Sequence, residues 1–162
     1  FLSSPDDSWN TLQEMNVDYV LVFVAGERIQ GTYDNEQLFY LQHGGDESKI
    51  GWFVRISELP VEQFIDSNLP NDYFWNETLL GKLIPFNVVT YYNPEFKIES
   101  NIYQSGSIPL SIKEIKYTDS KNDPLWLVYA SPSFYDKTSG PMTGVFVYEI
   151  NKNYIPINNH IP

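Results

Sequence analysis

The stretch Ser4 to Gly26, SPDDSWNTLQEMNVDYVLVFVAG, decides the fold because it joins a capped helix to a long apolar segment. Ser4 is followed by Pro5, and Asp7 lies three positions after Ser4. This is the pattern of a helix start with acids in its first turn. Asn16 is placed to end this helix in a left-handed conformation. Val17 to Ala25 is nearly all apolar, which is typical of a strand covered on both faces. This order of helix, turn and strand predicts a Rossmann-like or mixed sheet.

The residues after this strand predict several short helices and then several strands. The helices are expected at Asp34 to Gln42, Asp46 to Ser57 with Asp46 as cap, Val61 to Ile65, and Asn76 to Ile84. The strands are expected at Val88 to Tyr92, Ile112 to Tyr117, Leu125 to Ala130, and Val145 to Ile150. The sequence therefore predicts an α+β domain with a helix-rich N-terminal half, residues 1 to 86, around a central buried strand, and a strand-rich C-terminal half, residues 87 to 162.

Composition limits the possible partners of the chain and the kinds of site it can carry. With 162 residues, 42% of them hydrophobic, the chain is long enough for one domain with a substantial core. The net charge of -11 repels phosphate backbones and anionic lipids, which argues against nucleic acid as a partner. The absence of cysteine excludes disulfides and thiolate metal sites. The longest apolar run is too short to span a bilayer, and the start at Phe1 suggests a piece excised from a larger protein.

The segment Asp46 to Ser57, DESKIGWFVRIS, carries the candidate chemistry. On a helix, Asp46, Lys49, Phe53 and Ile56 are three or four positions apart, so they lie on one face. The purely structural alternative makes the acid a helix cap paired with the lysine, and places Phe53, Ile56 and the neighbouring tryptophan in the core.

Gly51 lies in the middle of this predicted helix. A glycine there costs about 1 kcal/mol relative to alanine. Such a residue is easiest to understand where another backbone approaches the helix closely.

The two segments together resemble the C-terminal domain of the catalytic subunit of archaeal and eukaryotic oligosaccharyltransferases. That family carries a motif D-x-x-K-x-x-x-M-x-x-I on a helix after a strand similar to VDYVLV, which is residues 17 to 22 here. Asp46, Lys49 and Ile56 match the motif, whereas Phe53 stands at its Met position. Similarity in the flanks, including Thr78 to Leu83, extends the resemblance over residues 3 to 86.

The resemblance implies a glycosyltransferase that moves a lipid-linked oligosaccharide to Asn in N-x-S/T sequons of an acceptor polypeptide. This chain would be its extracytoplasmic domain at the cell membrane. Asp46, Lys49, Phe53 and Ile56 would help to bind the acceptor, beside a W-W-D-Y-G motif that the family carries upstream. No catalytic residue or cofactor is expected in this chain, since the divalent metal, Mn or Mg, would be held by the absent membrane domain. The isolated chain is expected to be inactive.

Three further interpretations come from the residues alone. Asn76-Glu77-Thr78 is itself a sequon, so Asn76 is a possible glycosylation site, although it is equally suited to cap the following helix. The aromatic content of 16% and the acidic surface suggest, as an alternative function, a stand-alone extracellular carbohydrate-binding module. A hydrolase that uses two carboxylates is a third possibility, but no pair of acids is singled out by spacing.

Overall fold

The computed structural model describes residues 1–33, 36–41, 45–66, 69–84, 86–88, 108–112, 115–136, 138 and 140–156. Helices and strands are mixed in these residues, so the predicted α+β class is confirmed. The helices are α1 (Pro5–Glu14), α2 (Ile50–Ile56), α3 (Asp72–Glu77) and α4 (Leu79–Leu83), and short 3₁₀ turns cover Asp46–Lys49, Val61–Gln63 and Pro132–Phe134. The strands are β1 (Tyr19–Tyr33), β2 (Glu36–Leu41), β3 (Ile65–Asp66), β4 (Leu69–Pro70), β5 (Phe86–Val88), β6 (Ile108–Ile112), β7 (Leu125–Ala130) and β8 (Gly140–Ile150).

Six of the strands form one sheet in the order β5-β6-β2-β1-β8-β7. β1 is central, as predicted, but every pairing among the described strands is antiparallel, so the Rossmann-like or mixed sheet was a wrong expectation. The reason is the pairing of β1 with β8, whose register runs from Tyr19 opposite Glu149 to Arg28 opposite Gly140. A partner from the far end of the chain thus sets the sheet type.

The two faces of β1 are unequal, which corrects the expectation of a strand covered on both faces. Val20, Val22 and Val24 are buried, whereas Tyr19 and Leu21 between them are exposed. The buried row joins α2, α3 and α4 in the hydrophobic core. Tyr19 and Leu21 on the exposed face are also apolar, and for this reason the sequence pattern predicted a strand covered on both faces.

Helix α1 begins and ends as the sequence predicts. The Ser4 hydroxyl accepts a hydrogen bond from the backbone N–H of Asp7 at 3.2 Å, and Pro5 is the first helical residue. Asn16 ends the turn with φ of 53°, the left-handed conformation that asparagine tolerates. These features depend on neighbouring residues only, which explains why they were predictable.

The predicted order of a helix-rich half before a strand-rich half is seen only in part. The four α-helices among the described residues precede residue 85, but two of the longer strands, β1 and β2, lie among them. The predicted helical turns at Asp34 to Gln42 are wrong, because Glu36–Leu41 forms β2 between β1 and β6. Short apolar segments are ambiguous between helix and strand, and here the available partners decide.

The predicted helix from Asn76 to Ile84 is divided at Thr78. Asn76 lies inside α3 and does not cap a helix. The Thr78 hydroxyl instead accepts from the backbone N–H of Gly81 and begins α4. The predicted helix at Val61 to Ile65 is only a single 3₁₀ turn followed by β3.

The C-terminal strand predictions differ in accuracy. β7 has the predicted bounds, Leu125–Ala130, and β8 includes Val145 to Ile150 but begins earlier, at Gly140. The strand expected at Ile112 to Tyr117 overlaps β6, Ile108–Ile112, at Ile112 only. Ile115 to Tyr117 is irregular, and residues 113 and 114 lie outside the described ranges. The strand expected at Val88 to Tyr92 overlaps β5 at Val88 only, because residues 89 to 92 lie outside the described ranges.

Candidate functional site

The candidate motif begins in the 3₁₀ turn Asp46–Lys49 and continues directly into α2. Asp46 does not cap the helix, which corrects the prediction. Gly45 occupies the position before the turn and makes no side-chain cap. The Asp46 carboxylate instead accepts a hydrogen bond at 2.7 Å from the backbone N–H of Phe23 in β1. This hydrogen bond therefore holds the start of the motif against the central strand β1.

This bond uses a backbone edge that β2 leaves open. The pairing of β1 with β2 begins at Gly26 opposite Leu41, so residue 23 lies beyond its end. Gly45 lies against the same edge, where an added Cβ would be 2.9 Å from the Phe23 carbonyl oxygen. Such contact leaves no room for a side chain, so Gly45 allows the motif to reach the strand.

Lys49 and Asp46 form the ion pair that the motif spacing predicts. The distance between Lys49 Nζ and Asp46 Oδ1 is 2.6 Å, and the exposed fractions of the two side chains are 57% and 16%. The hydrogen bond to Asp46 and its negative charge raise the pKa of Lys49, with a smaller contribution from Glu47. The lysine therefore keeps its positive charge at neutral pH and is held at the surface by one carboxylate.

The rest of α2 has a buried face and an exposed apolar face. Ile50 and Val54 are buried in the core, whereas Trp52 is 64% exposed and Ile56 is 75% exposed. Placing Trp52 and Ile56 in the core was therefore wrong. The guanidinium of Arg55 lies over the Trp52 ring at 5.5 Å, a cation–π distance.

Gly51 lies on the exposed part of α2. No heavy atom lies within 4 Å of a Cβ built at this position. The close backbone contact expected from the sequence is thus not made by any part of the chain that the structure describes. The position is open to an approach from outside the domain.

A cleft of about 170 Å³ lies beside the motif, where Asp46 and Phe53 meet Phe1, Leu21 and Leu80. Phe53 is half-buried and stacks on Phe1 with 6.3 Å between the ring centroids. The four predicted site residues are thus only partly brought together. Asp46 contacts Lys49 and shares the cleft with Phe53, but neither Lys49 nor Ile56 lines the cleft.

Asn76 and Thr78 of the sequon lie at the junction of α3 and α4. Asn76 is exposed, but Thr78 is fully buried. Its hydroxyl donates to the Phe74 carbonyl oxygen at 2.7 Å and accepts from the Gly81 N–H at 3.1 Å. The hydroxyl is therefore fully engaged in the folded domain, so we expect any modification of Asn76 to precede folding.

Metal binding finds no support in the described ranges, where no three His, Asp or Glu side chains are grouped as metal ligands. The divalent metal that the resemblance implies for a part of the protein outside this chain stays a prediction. No described helix has the length and apolar character needed to cross a membrane.

Comparisons with known proteins leave the family open: no family model, curated protein or solved structure matches the chain.

Proposed function

We propose that this chain is the extracytoplasmic C-terminal domain of an oligosaccharyltransferase and helps to bind the acceptor polypeptide. The activity of the whole enzyme would be transfer of a lipid-linked oligosaccharide to Asn in N-x-S/T. In this proposal the chain contributes no catalytic residue. The transmembrane domain of the same protein would supply the catalytic carboxylates and their Mn or Mg ion.

The observation that carries the proposal is the anchored Asp46–Lys49 pair. One carboxylate oxygen of Asp46 receives the N–H of Phe23, and the other receives the ammonium of Lys49. The lysine is thus positioned by the central strand of the sheet, not only by its own short helix. A rigidly supported charge at an exposed site is suited to orienting a polar ligand.

The cleft beside the Asp46–Lys49 pair favours a peptide as that ligand. Its volume of about 170 Å³ can hold one amino-acid side chain, and its lining, which includes Asp46 and Phe53, combines an apolar wall with one carboxylate. A threonine side chain has a methyl group and a hydroxyl group that fit such a mixed environment. Trp52, Ile56 and the open position at Gly51 supply further uncovered surface beside it.

The first experiment replaces the lysine in the full-length enzyme reconstituted in lipid. We expect Lys49→Ala to lower transfer to an N-x-T peptide at least about tenfold, which corresponds to roughly 1.4 kcal/mol of lost interaction with the acceptor. Lys49→Arg should retain more transfer than Lys49→Ala because it keeps the positive charge. Transfer is followed by gel shift of a fluorescent acceptor peptide.

The matched control is Lys121→Ala, which removes another exposed lysine from a loop distant in sequence from the motif. It should leave transfer unchanged. Circular dichroism of each variant domain checks that the fold is intact. Normal transfer by a folded Lys49→Ala enzyme would show that Lys49 is not part of the acceptor site.

The family assignment itself is tested by the codons upstream of Phe1. A W-W-D-Y-G motif preceded by many apolar segments of membrane-spanning length would support it. A secretion signal joined directly to Phe1 would contradict it and favour the carbohydrate-binding alternative.

A further inference from the structure

A second groove lies on the sheet face that points away from the core. Its volume is about 550 Å³, and its walls include Asp18, Tyr19, Trp126, Glu149 and Lys152. None of these residues belongs to the Asp46–Lys49 motif. The inference drawn from this groove therefore does not rest on the proposed function.

Three adjacent strands place the main side chains of the groove in one row. Tyr19 of β1 is opposite Glu149 of β8, and Glu149 is opposite Trp126 of β7. Since neighbouring strands are about 4.8 Å apart, the two aromatic residues are separated by about 10 Å, with a carboxylate between them. Tyr19 is 58% exposed, and Trp126 is partly exposed.

The end of the groove is held rigidly by Asn151, which is buried. Its side-chain amide donates to the backbone carbonyl oxygen of Asp123 at 2.8 Å. The backbone carbonyl oxygen of Asn151 accepts from the Trp9 indole N–H at 2.9 Å. The backbone N–H of Ile150 also donates to the Asp18 carbonyl oxygen at 3.0 Å. Little ordering is therefore required before a ligand binds, which favours affinity.

The charge of the groove selects against anions. Its described lining contains the carboxylates of Asp18 and Glu149 and one cation, Lys152, whose ammonium is paired with Asp18. The net charge of the chain, -11, has the same sign. Phosphorylated, sulfated and other acidic ligands would be repelled.

We propose that this groove binds a neutral saccharide. The apolar face of a sugar ring packs on an aromatic side chain, as Tyr19 and Trp126 allow, and its hydroxyl groups donate to carboxylates such as those of Asp18 and Glu149. Two aromatic residues on either side of Glu149 fit a ligand of at least two sugar units. Bare apolar ligands are disfavoured because the carboxylates would lose their hydration without compensation.

The test is an NMR titration of the ¹⁵N-labelled chain with three neutral disaccharides: cellobiose, mannobiose and N,N′-diacetylchitobiose. We expect at least one of them, at millimolar concentration, to shift the Trp126 indole signal and the backbone amides of Tyr19 and Glu149. A sulfated disaccharide of the same length should produce no such shifts. If it binds the groove as tightly as the neutral sugars, the charge argument is wrong.

Two variants distinguish stacking from a structural role. Tyr19→Ala and Trp126→Ala should each weaken binding by about tenfold, the loss expected for one stacked ring. Tyr135→Ala, which removes a tyrosine that is 64% exposed and outside the groove, should bind normally. Trp126→Phe should restore part of the affinity by keeping a ring.

Two results would overturn the proposal. One is the absence of shifts at Trp126 with all three neutral sugars. The other is unchanged binding by a folded Tyr19→Ala chain. Because the Lys49 experiment uses different residues and a different assay, either proposal can fail while the other survives.

Discussion

The two faces of the sheet differ less in composition than in what covers them. Val22, Val24 and Phe146 on one face have no exposed area. On the opposite face, Tyr19 and Leu21 are about as apolar but are 58% and 60% exposed. An apolar strand residue therefore shows where a surface prefers to be covered, but not whether this domain covers it.

Helix α2 repeats the same contrast. Ile50 and Val54 pack in the core, whereas Trp52 and Ile56 on the same helix are exposed. Contiguous exposed apolar residues commonly mark binding surfaces. The exposed residues of α2 belong to the same helix as the proposed acceptor site. Of the exposed sheet residues, Leu21 lines the cleft beside the motif, and Tyr19 lines the proposed saccharide groove.

The largest effect that separates the two faces is expected from Phe146→Ala in the core. Loss of this buried ring should lower the free energy of unfolding by about 3–5 kcal/mol. Leu21→Ala on the opposite face should change it by less than about 0.5 kcal/mol. Urea denaturation followed by circular dichroism measures both. Comparable losses for the two variants would show that the outer face is covered in solution, and the contrast would disappear.

Two helical glycines, one in close contact with the rest of the domain and one without such contacts, offer a second comparison of covered and exposed positions. An added Cβ at Gly81 would lie 2.1 Å from the Phe74 carbonyl oxygen, so Gly81→Ala should destabilise by about 3 kcal/mol through overpacking. Gly51→Ala meets no heavy atom within 4 Å and should stabilise by up to about 1 kcal/mol. The midpoint temperature of thermal unfolding should fall for Gly81→Ala and rise for Gly51→Ala. Destabilisation by Gly51→Ala would mean that another part of the chain contacts α2.

The acid and the lysine of the motif should contribute unequally to stability. Asp46→Ala leaves the N–H of Phe23 without its acceptor and should cost about 1.5–3 kcal/mol. Lys49→Ala removes only an exposed ion pair and should cost less than about 1 kcal/mol. Equal losses in urea denaturation would contradict the role of Asp46 as the anchor to β1.

Among the substitutions of buried side chains, the smallest effect at neutral pH is expected from Tyr148→Phe. The Tyr148 hydroxyl donates to the Leu83 carbonyl oxygen at 2.7 Å in the core, and its loss should cost about 1 kcal/mol. Burial raises the pKa of Tyr148 above its usual value, and burial together with a hydrogen bond to Asp6 raises the pKa of Tyr154 to about 12.

These pKa shifts set the alkaline behaviour of the fold. Above about pH 10, unfolded tyrosines lose protons that the folded chain retains, so stability falls as pH rises. Tyr148→Phe should reduce that fall by up to about 1.4 kcal/mol for each pH unit. Denaturation series from pH 8 to about pH 11 compare the wild type with the variant. An identical pH dependence would show that Tyr148 is accessible to water, and so would weaken the contrast between the faces.

Prediction from the sequence succeeded where the determining contacts are local. The cap at Ser4, the left-handed Asn16 and the pair between Asp46 and Lys49 join residues at most four positions apart. It failed for Glu36–Leu41, which is a strand because β1 and β6 flank it. The apolar pattern of that segment did not contain this information.

The sequence by itself determined the start and end of α1, the bounds of β7 and the spacing that pairs Lys49 with Asp46. Turn and capping chemistry involves residues that stay close in any compact state of the chain. Only the tertiary structure decided that Asp46 bonds to Phe23 and that Tyr19, Glu149 and Trp126 share a row. These contacts join residues separated by 23 positions in one case and by more than 100 in another, so they exist only after the strands have paired.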